Sequence, residues 1–142
     1  MLLPELIDRI NELHDFYKTG DILKEYDGND WKQYVEINSN VYNRKKIYEN
    51  INYEIYIITW NVNQMAKKHD HAKNGCFLKI LCGELQEIRY FKDDTSKINT
   101  LTLNDISYMS NNIGYHSIYN KNNEIAVTIH IYSPPNHNTL FM

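Results

Sequence analysis

Apolar positions in the first thirteen residues recur at helical spacing: Leu3, Leu6, Ile7, Ile10 and Leu13, with Glu5, Asp8, Arg9 and Glu12 on the opposite side. Pro4 suits a first helical turn, and Gly20 reads as the residue that follows the helix end. Asp21 is placed to cap a short second helix through Tyr26, and residues 30–34 predict one further turn. From about Tyr42 the period changes. Runs rich in Ile, Tyr, Trp and Val at 53–62, 76–83, 85–91, 98–103, 106–109, 115–119 and 125–132 predict strands. Between them stand turn residues such as Lys73-Asn74-Gly75, Lys92-Asp93-Asp94, Asn111-Asn112 and Lys121-Asn122-Asn123. Many short strands at this spacing predict a mainly β protein, a sandwich or barrel, under a helical N-terminal cover. The expected organisation is one domain over 1–142, with 1–40 as helical lead-in and 41–142 as the barrel.

Composition changes this picture little. With 142 residues, 42% hydrophobic and 23% charged, the chain has the balance of an ordinary globular domain. The net charge of −3, and no basic run longer than Arg44-Lys45-Lys46, give no footprint for nucleic acid or an anionic membrane. Glu5 interrupts any apolar core of a leader, and no window reaches transmembrane length. A cytoplasmic monomer is therefore expected. Cys76 and Cys82 lie six residues apart on one predicted strand, too far for the Cα separation of about 6 Å that a disulfide needs. Both are expected to be reduced.

Candidate chemistry concentrates in the histidines. In His69-Asp70-His71, an extended backbone turns both imidazoles to the same side. Alone, the pair reads first as two surface histidines beside Lys67 and Lys68. In 125–132, Thr128, His130 and Tyr132 alternate with Val127, Ile129 and Ile131. Either the polar file lines a barrel interior and the apolar file packs under the helices, or the polar file faces solvent.

Spacing narrows these choices. Cys76 follows His71 after four residues and Gly83 follows after six more, while Gly114-Tyr115-His116 precedes Asn120. This pattern resembles the two motifs of the cupin superfamily, whose double-stranded β-helix binds metal through His-x-His and a third His. Cys76 stands where many cupins carry a metal-binding Glu. Three neutral imidazoles would leave an ion its full charge and three open positions on one face, although imidazole suits several divalent ions.

Three separated runs resemble one cupin family closely. These are W-K-Q-Y-V-E-I-N-S-N-V-Y-N-R at 31–44, H-D-H-A-K-N-G-C-F-L-K-I-L-C-G at 69–83 and T-I-H-I-Y-S-P-P at 128–135, and they resemble cysteine dioxygenase. The resemblance implies one ferrous iron held by His69, His71 and His116, no organic cofactor, and oxidation of L-cysteine by dioxygen to cysteine sulfinic acid. It further implies that Arg44 holds the substrate carboxylate beside Tyr42. Tyr132 and His130 would act at the reacting centre, with Thr128 and Trp60 behind them. In animal-type members a cysteine at the position of Cys76 is linked through sulfur to the pocket tyrosine, so a Cys76–Tyr132 thioether is expected. Other readings of Cys76 are a plain buried thiol, as expected of Cys82, or a zinc thiolate. Thr128 departs from the family's usual Ser, and Thr139 stands near the place of an expected cysteine. The family pattern runs on beyond position 142 through a stretch that helps close the pocket, so pocket closure, and with it substrate range and rate, are the properties these departures bear on. The alternatives are a dioxygenase of another small thiol, such as 3-mercaptopropionate, or a non-catalytic metal-binding cupin.

Overall fold

Leu3, Leu6 and Ile10 form the buried side of helix α1 (Leu3–Asn11), which a computed structural model of residues 1–142 places across one face of a β-barrel. The helix stops two residues short of Leu13, where the chain turns into a 3-10 segment (Phe16–Lys18) whose Tyr17 N–H donates to the Asp15 carboxylate at 2.9 Å. Helix α2 follows directly (Thr19–Leu23). Gly20 thus lies inside a helix and does not follow one, and Asp21 sits in the first turn without capping it. The reason is packing. A Cβ at Gly20 would stand 2.9 Å from the Phe77 ring, so glycine is what lets α2 lie against the sheet. α2 ends at Leu23 and not at Tyr26. The carbonyls of Leu23, Lys24 and Tyr26 instead accept from the buried Lys79 ammonium, at 3.0, 3.3 and 2.6 Å. A second 3-10 segment, Asp30–Tyr34, occupies the predicted turn.

Nine strands follow: β1 (Asn43–Glu49), β2 (Glu54–Trp60), β3 (Met65–His69), β4 (Gly75–Cys82), β5 (Leu85–Phe91), β6 (Ser96–Leu101), β7 (Ile106–Met109), β8 (Gly114–Tyr119) and β9 (Ala126–Ser133). All pair antiparallel, in two sheets ordered β1-β2-β9-β4-β7 and β3-β8-β5-β6. β1 and β3 are the strands that hydrophobic pattern does not reveal. Both are sheet edges with one face in solvent, so Arg44-Lys45-Lys46 and Lys67-Lys68 occupy them without cost.

The core divides in two. Outside the five-stranded sheet, Val127, Ile129 and Ile131 of β9 pack with Ile55, Ile57 and the helical Leu3, Leu6, Ile10 and Leu23. Inside the barrel, Ile58, Leu78, Ile80, Leu85, Leu101 and Ile118 fill one end. Each such side chain contributes about 1.5–3 kcal/mol when fully buried. The other end of the interior is polar, and carries the cavity described next.

Candidate metal centre and substrate cavity

His69 closes β3, His71 follows it, and His116 lies on β8 directly across from His69 in the strand register. A slip in that register between Ala66 and His69 turns the end of β3 inward. The three rings thereby converge. Ring centroids are 4.5 Å apart for His71 and His116, 4.7 Å for His69 and His116, and 5.2 Å for His69 and His71. His116 Nε2 stands 3.0 Å from His71 Nε2 and 3.1 Å from His69 Nε2, and one ligand atom from each residue falls within 4.8 Å of the others.

The ring protons of His69 and His116 are directed away from this point of convergence. His69 Nδ1 lies 2.6 Å from the Lys67 carbonyl, which can only accept, so the ring proton is on Nδ1. His116 Nδ1 lies 2.9 Å from Glu87 Oε2. Burial pushes the Glu87 carboxyl up, but His116 and Arg89 outweigh it and hold the group at about 2, so it too only accepts. In the tautomers with the proton on Nδ1, the Nε2 lone pairs of the two rings are aimed at each other. Burial, with the neighbouring imidazoles second, also keeps His69 near a pKa of about 4 and His71 near about 2. Neither His69 nor His71 therefore takes a second proton at neutral pH, and His71 Nδ1 is buried without a partner. A divalent cation relieves this repulsion. Metal–imidazole bonds of about 2.1 Å at right angles put nitrogens roughly 3.0 Å apart, against roughly 3.4 Å for a tetrahedron. The two separations from His116 match neighbouring donors on one octahedral ion, and three neutral imidazoles suit a divalent cation.

The imidazoles form one wall of a cavity of about 270 Å³. Tyr42, Arg44, Trp60, Cys76, His130 and Tyr132 line it as well, so the sequence-predicted residues meet in one space except for Thr128, which stands behind. The polar file of β9 faces this interior, and the apolar file meets the helices. Trp60 Nε1 donates to Thr128 Oγ1 at 3.0 Å, which leaves the threonine proton for His130 Nδ1, also 3.0 Å away. His130 is thus held as the tautomer with its proton on Nε2. Burial, then the Arg44 charge, keeps it neutral. Its ring stacks on Tyr132 at 5.6 Å, and burial pushes the Tyr132 hydroxyl far above the usual phenol range. Tyr42 stacks on Trp60 at 4.6 Å.

Arg44 stands at the cavity rim with one side open to solvent. Its guanidinium carbon lies 4.2 Å from the Tyr56 ring centroid and 5.6 Å from that of Tyr132. None of the chain's ion pairs includes it. Cys76 and Tyr132 are direct cross-strand partners on β4 and β9. Both cysteines are free thiols; Cys76 is buried, and Cys82 is partly exposed where a buried thiol was expected. Burial pushes the Cys76 thiol well above its usual range.

Three contributions escape sequence reasoning. Tyr56 under Arg44 had a signal, because it shares the inward face of β2 with Ile58 and Trp60. Glu87 had none, since its partner His116 is remote in sequence. The last is the tail. Leu140 N donates to Asp70 Oδ1 at 2.8 Å, Asp70 N donates to the Leu140 carbonyl at 3.1 Å, and Phe141 bridges to His69. His137, Asn138, Thr139 and Phe141 thereby wall one side of the cavity.

A double-stranded β-helix whose interior converges three imidazoles on one point defines a metal-binding cupin. Among solved structures, a conserved protein with a double-stranded β-helix domain from Klebsiella pneumoniae superposes with a TM-score of 0.67, covering 82% of this chain and 96% of that one at 16% identity. Residues 7–140 match the family model described as cysteine dioxygenase type I. Cysteine dioxygenase type 1 of Rattus norvegicus is 30% identical over 150 residues, covering 92% of this chain and 74% of the rat protein. That of Danio rerio is 28% identical over 156 residues, covering 95% and 78%. The chain belongs to the cysteine dioxygenase type I family, and so to the non-haem dioxygenases.

Proposed function

We propose that this enzyme oxidises the thiol of L-cysteine with dioxygen to the sulfinic acid, at one ferrous ion held by His69, His71 and His116. The observation that carries the substrate is Arg44, a guanidinium without a carboxylate partner in the same cavity as the three imidazoles. Its planar fork suits a carboxylate, and the face of Tyr56 holds it in plane. Bound at the imidazoles, ferrous iron would supply an acceptor that favours loss of the thiol proton and a place for dioxygen to react.

The side chains supply orientation. Arg44 fixes the carboxylate end, which leaves the amine and thiol to reach the imidazole face. Tyr132 stays a neutral phenol and donates a hydrogen bond beside the reacting sulfur. His130 holds its own proton on Nε2 because Trp60 and Thr128 dictate its tautomer, so it supports Tyr132 without taking up charge. The sulfur supplies the electrons, and no organic cofactor is invoked. Cys76 and Tyr132 form a thioether in this reading. The new bond joins Cys76 Sγ to a ring carbon, and the two displaced hydrogens reduce dioxygen. The support is their direct opposition across β4 and β9.

Oxygen uptake by iron-loaded protein tests the reading. Uptake with L-cysteine is expected to exceed that with 3-mercaptopropionate. Uptake with the second thiol alone reassigns the substrate, and none with either, despite bound iron, removes the enzyme reading. The cross-link predicts a chain mass two hydrogens lighter than the sequence, restored in Cys76→Ser.

A further inference from the structure

Of the three imidazoles, only His116 hydrogen bonds to a charged group. His69 meets a neutral carbonyl and His71 Nδ1 meets nothing. His116 instead reaches Glu87, which is 1% exposed and whose two oxygens are both engaged. Oε2 takes His116 Nδ1 at 2.9 Å, Oε1 takes Arg89 Nε at 2.9 Å, and Ser107 Oγ stands 3.1 and 2.9 Å from the pair. Arg89 Nη2 closes the network on Ser107 Oγ at 2.8 Å and the Tyr108 carbonyl at 2.7 Å. These residues come from β5, β8 and β7, so the network ties the two sheets together behind the metal centre.

We propose that Glu87 is a positioning residue that sets the tautomer of His116, and with it the affinity and redox balance of the metal centre. This rests on the metal-centre reading above. An ion pair kept for stability alone needs no third partner, and a buried pair is weak support for a fold in any case. Here the carboxylate is held by Arg89 and Ser107 in the one rotation that offers an oxygen to His116 Nδ1. That contact puts the imidazole proton on Nδ1, frees Nε2 to ligate, and makes the ring a stronger donor through partial transfer of charge.

Glu87→Gln separates this role from packing, because the amide keeps the shape and loses the charge. Its NH2 can also donate to Nδ1, which would move the ring proton to Nε2 and block ligation. Titration of metal-free protein with Co2+ against a competing chelator is expected to show affinity about 10–100-fold weaker in Glu87→Gln than in wild type. The ferric/ferrous potential of the iron-loaded variant is expected to rise, since the ferric form loses more from a missing negative charge. A role confined to folding would lower the melting temperature and leave both readouts alone. Wild type that binds no Co2+ overturns the metal-centre reading itself. Wild type that binds, beside a variant within twofold of it and at the same potential, overturns this inference only. If Glu87→Gln does not fold, Ser107→Ala decides, because it frees the carboxylate to rotate: a several-fold loss of affinity supports the role, and unchanged affinity overturns it.

Discussion

The two faces of β9 are interleaved one residue apart, yet they answer to different physics. Val127, Ile129 and Ile131 meet the helices through contacts that need volume and apolarity. His130 and Tyr132 face the cavity with Thr128 behind them, and each position is fixed by a hydrogen bond, a stacking distance or a neighbouring charge. Residues on the first face are exchangeable for others of similar size. Residues on the second face are not, because a swap that keeps volume but loses a donor breaks a relay. The difference teaches where stability and chemistry reside in this barrel, and it predicts that substitutions on the two faces have separable effects.

The largest effect is expected from the imidazole wall that faces the polar file. His116→Ala should weaken divalent-metal binding by more than about 100-fold, beyond what loss of an outer partner costs, while the metal-free protein still folds; equilibrium titration with denaturation curves checks both. Next comes the apolar face. Ile129→Ala should cost about 2–5 kcal/mol of stability yet leave the metal affinity of the folded fraction unchanged, and a parallel loss of affinity would erase the separation. Arg44→Lys keeps a positive charge and loses the fork, so the KM for cysteine should rise by roughly tenfold, equivalent to about 1.4 kcal/mol, with iron content unaltered. Thr128→Val should cost about 1 kcal/mol and slow turnover, whereas Thr128→Ser should retain the relay and most activity.

The pH dependence extends the comparison to the metal-free state. His69 and His71 titrate near 6.5 when unfolded and near about 4 and about 2 when folded, because burial first, and then neighbouring imidazoles, disfavour their charge. The unfolded chain therefore binds protons that the fold does not. That stability is fully present above about pH 6.5 and is lost as the pH falls toward 4. Melting of metal-free protein should follow this slope, and His71→Asn should flatten it. The apolar face contributes no such slope.

Much of this was legible in the sequence where periodicity and burial agree. The alternation in β9 sorted its residues into two files but left open whether the polar one faced a cavity or solvent, because a period of two does not say which side is covered. The convergence of His69, His71 and His116 was legible only through motif spacing, because no local rule brings β3 and β8 together. β1 and β3 escaped because edge strands bear charges on their solvent face, so their composition reads as loop. Gly20 was misplaced because a glycine required by a close helix–sheet contact looks the same in sequence as one that ends a helix. Glu87 was invisible for a related reason: its function depends on a partner on another strand. The tail's role rests on Asp70, whose neighbours are ligands and whose own side chain instead accepts from Leu140 N.

The central claim is that this cavity adds both atoms of dioxygen to the sulfur of a carboxylate-bearing thiol. Turnover of L-cysteine by iron-loaded protein under 18O2, followed by mass spectrometry of the product, tests it most directly. The account predicts cysteine sulfinic acid carrying both heavy oxygen atoms, formed one for each dioxygen consumed. Cystine as the product, or a sulfinic acid with oxygen drawn from water, would contradict it.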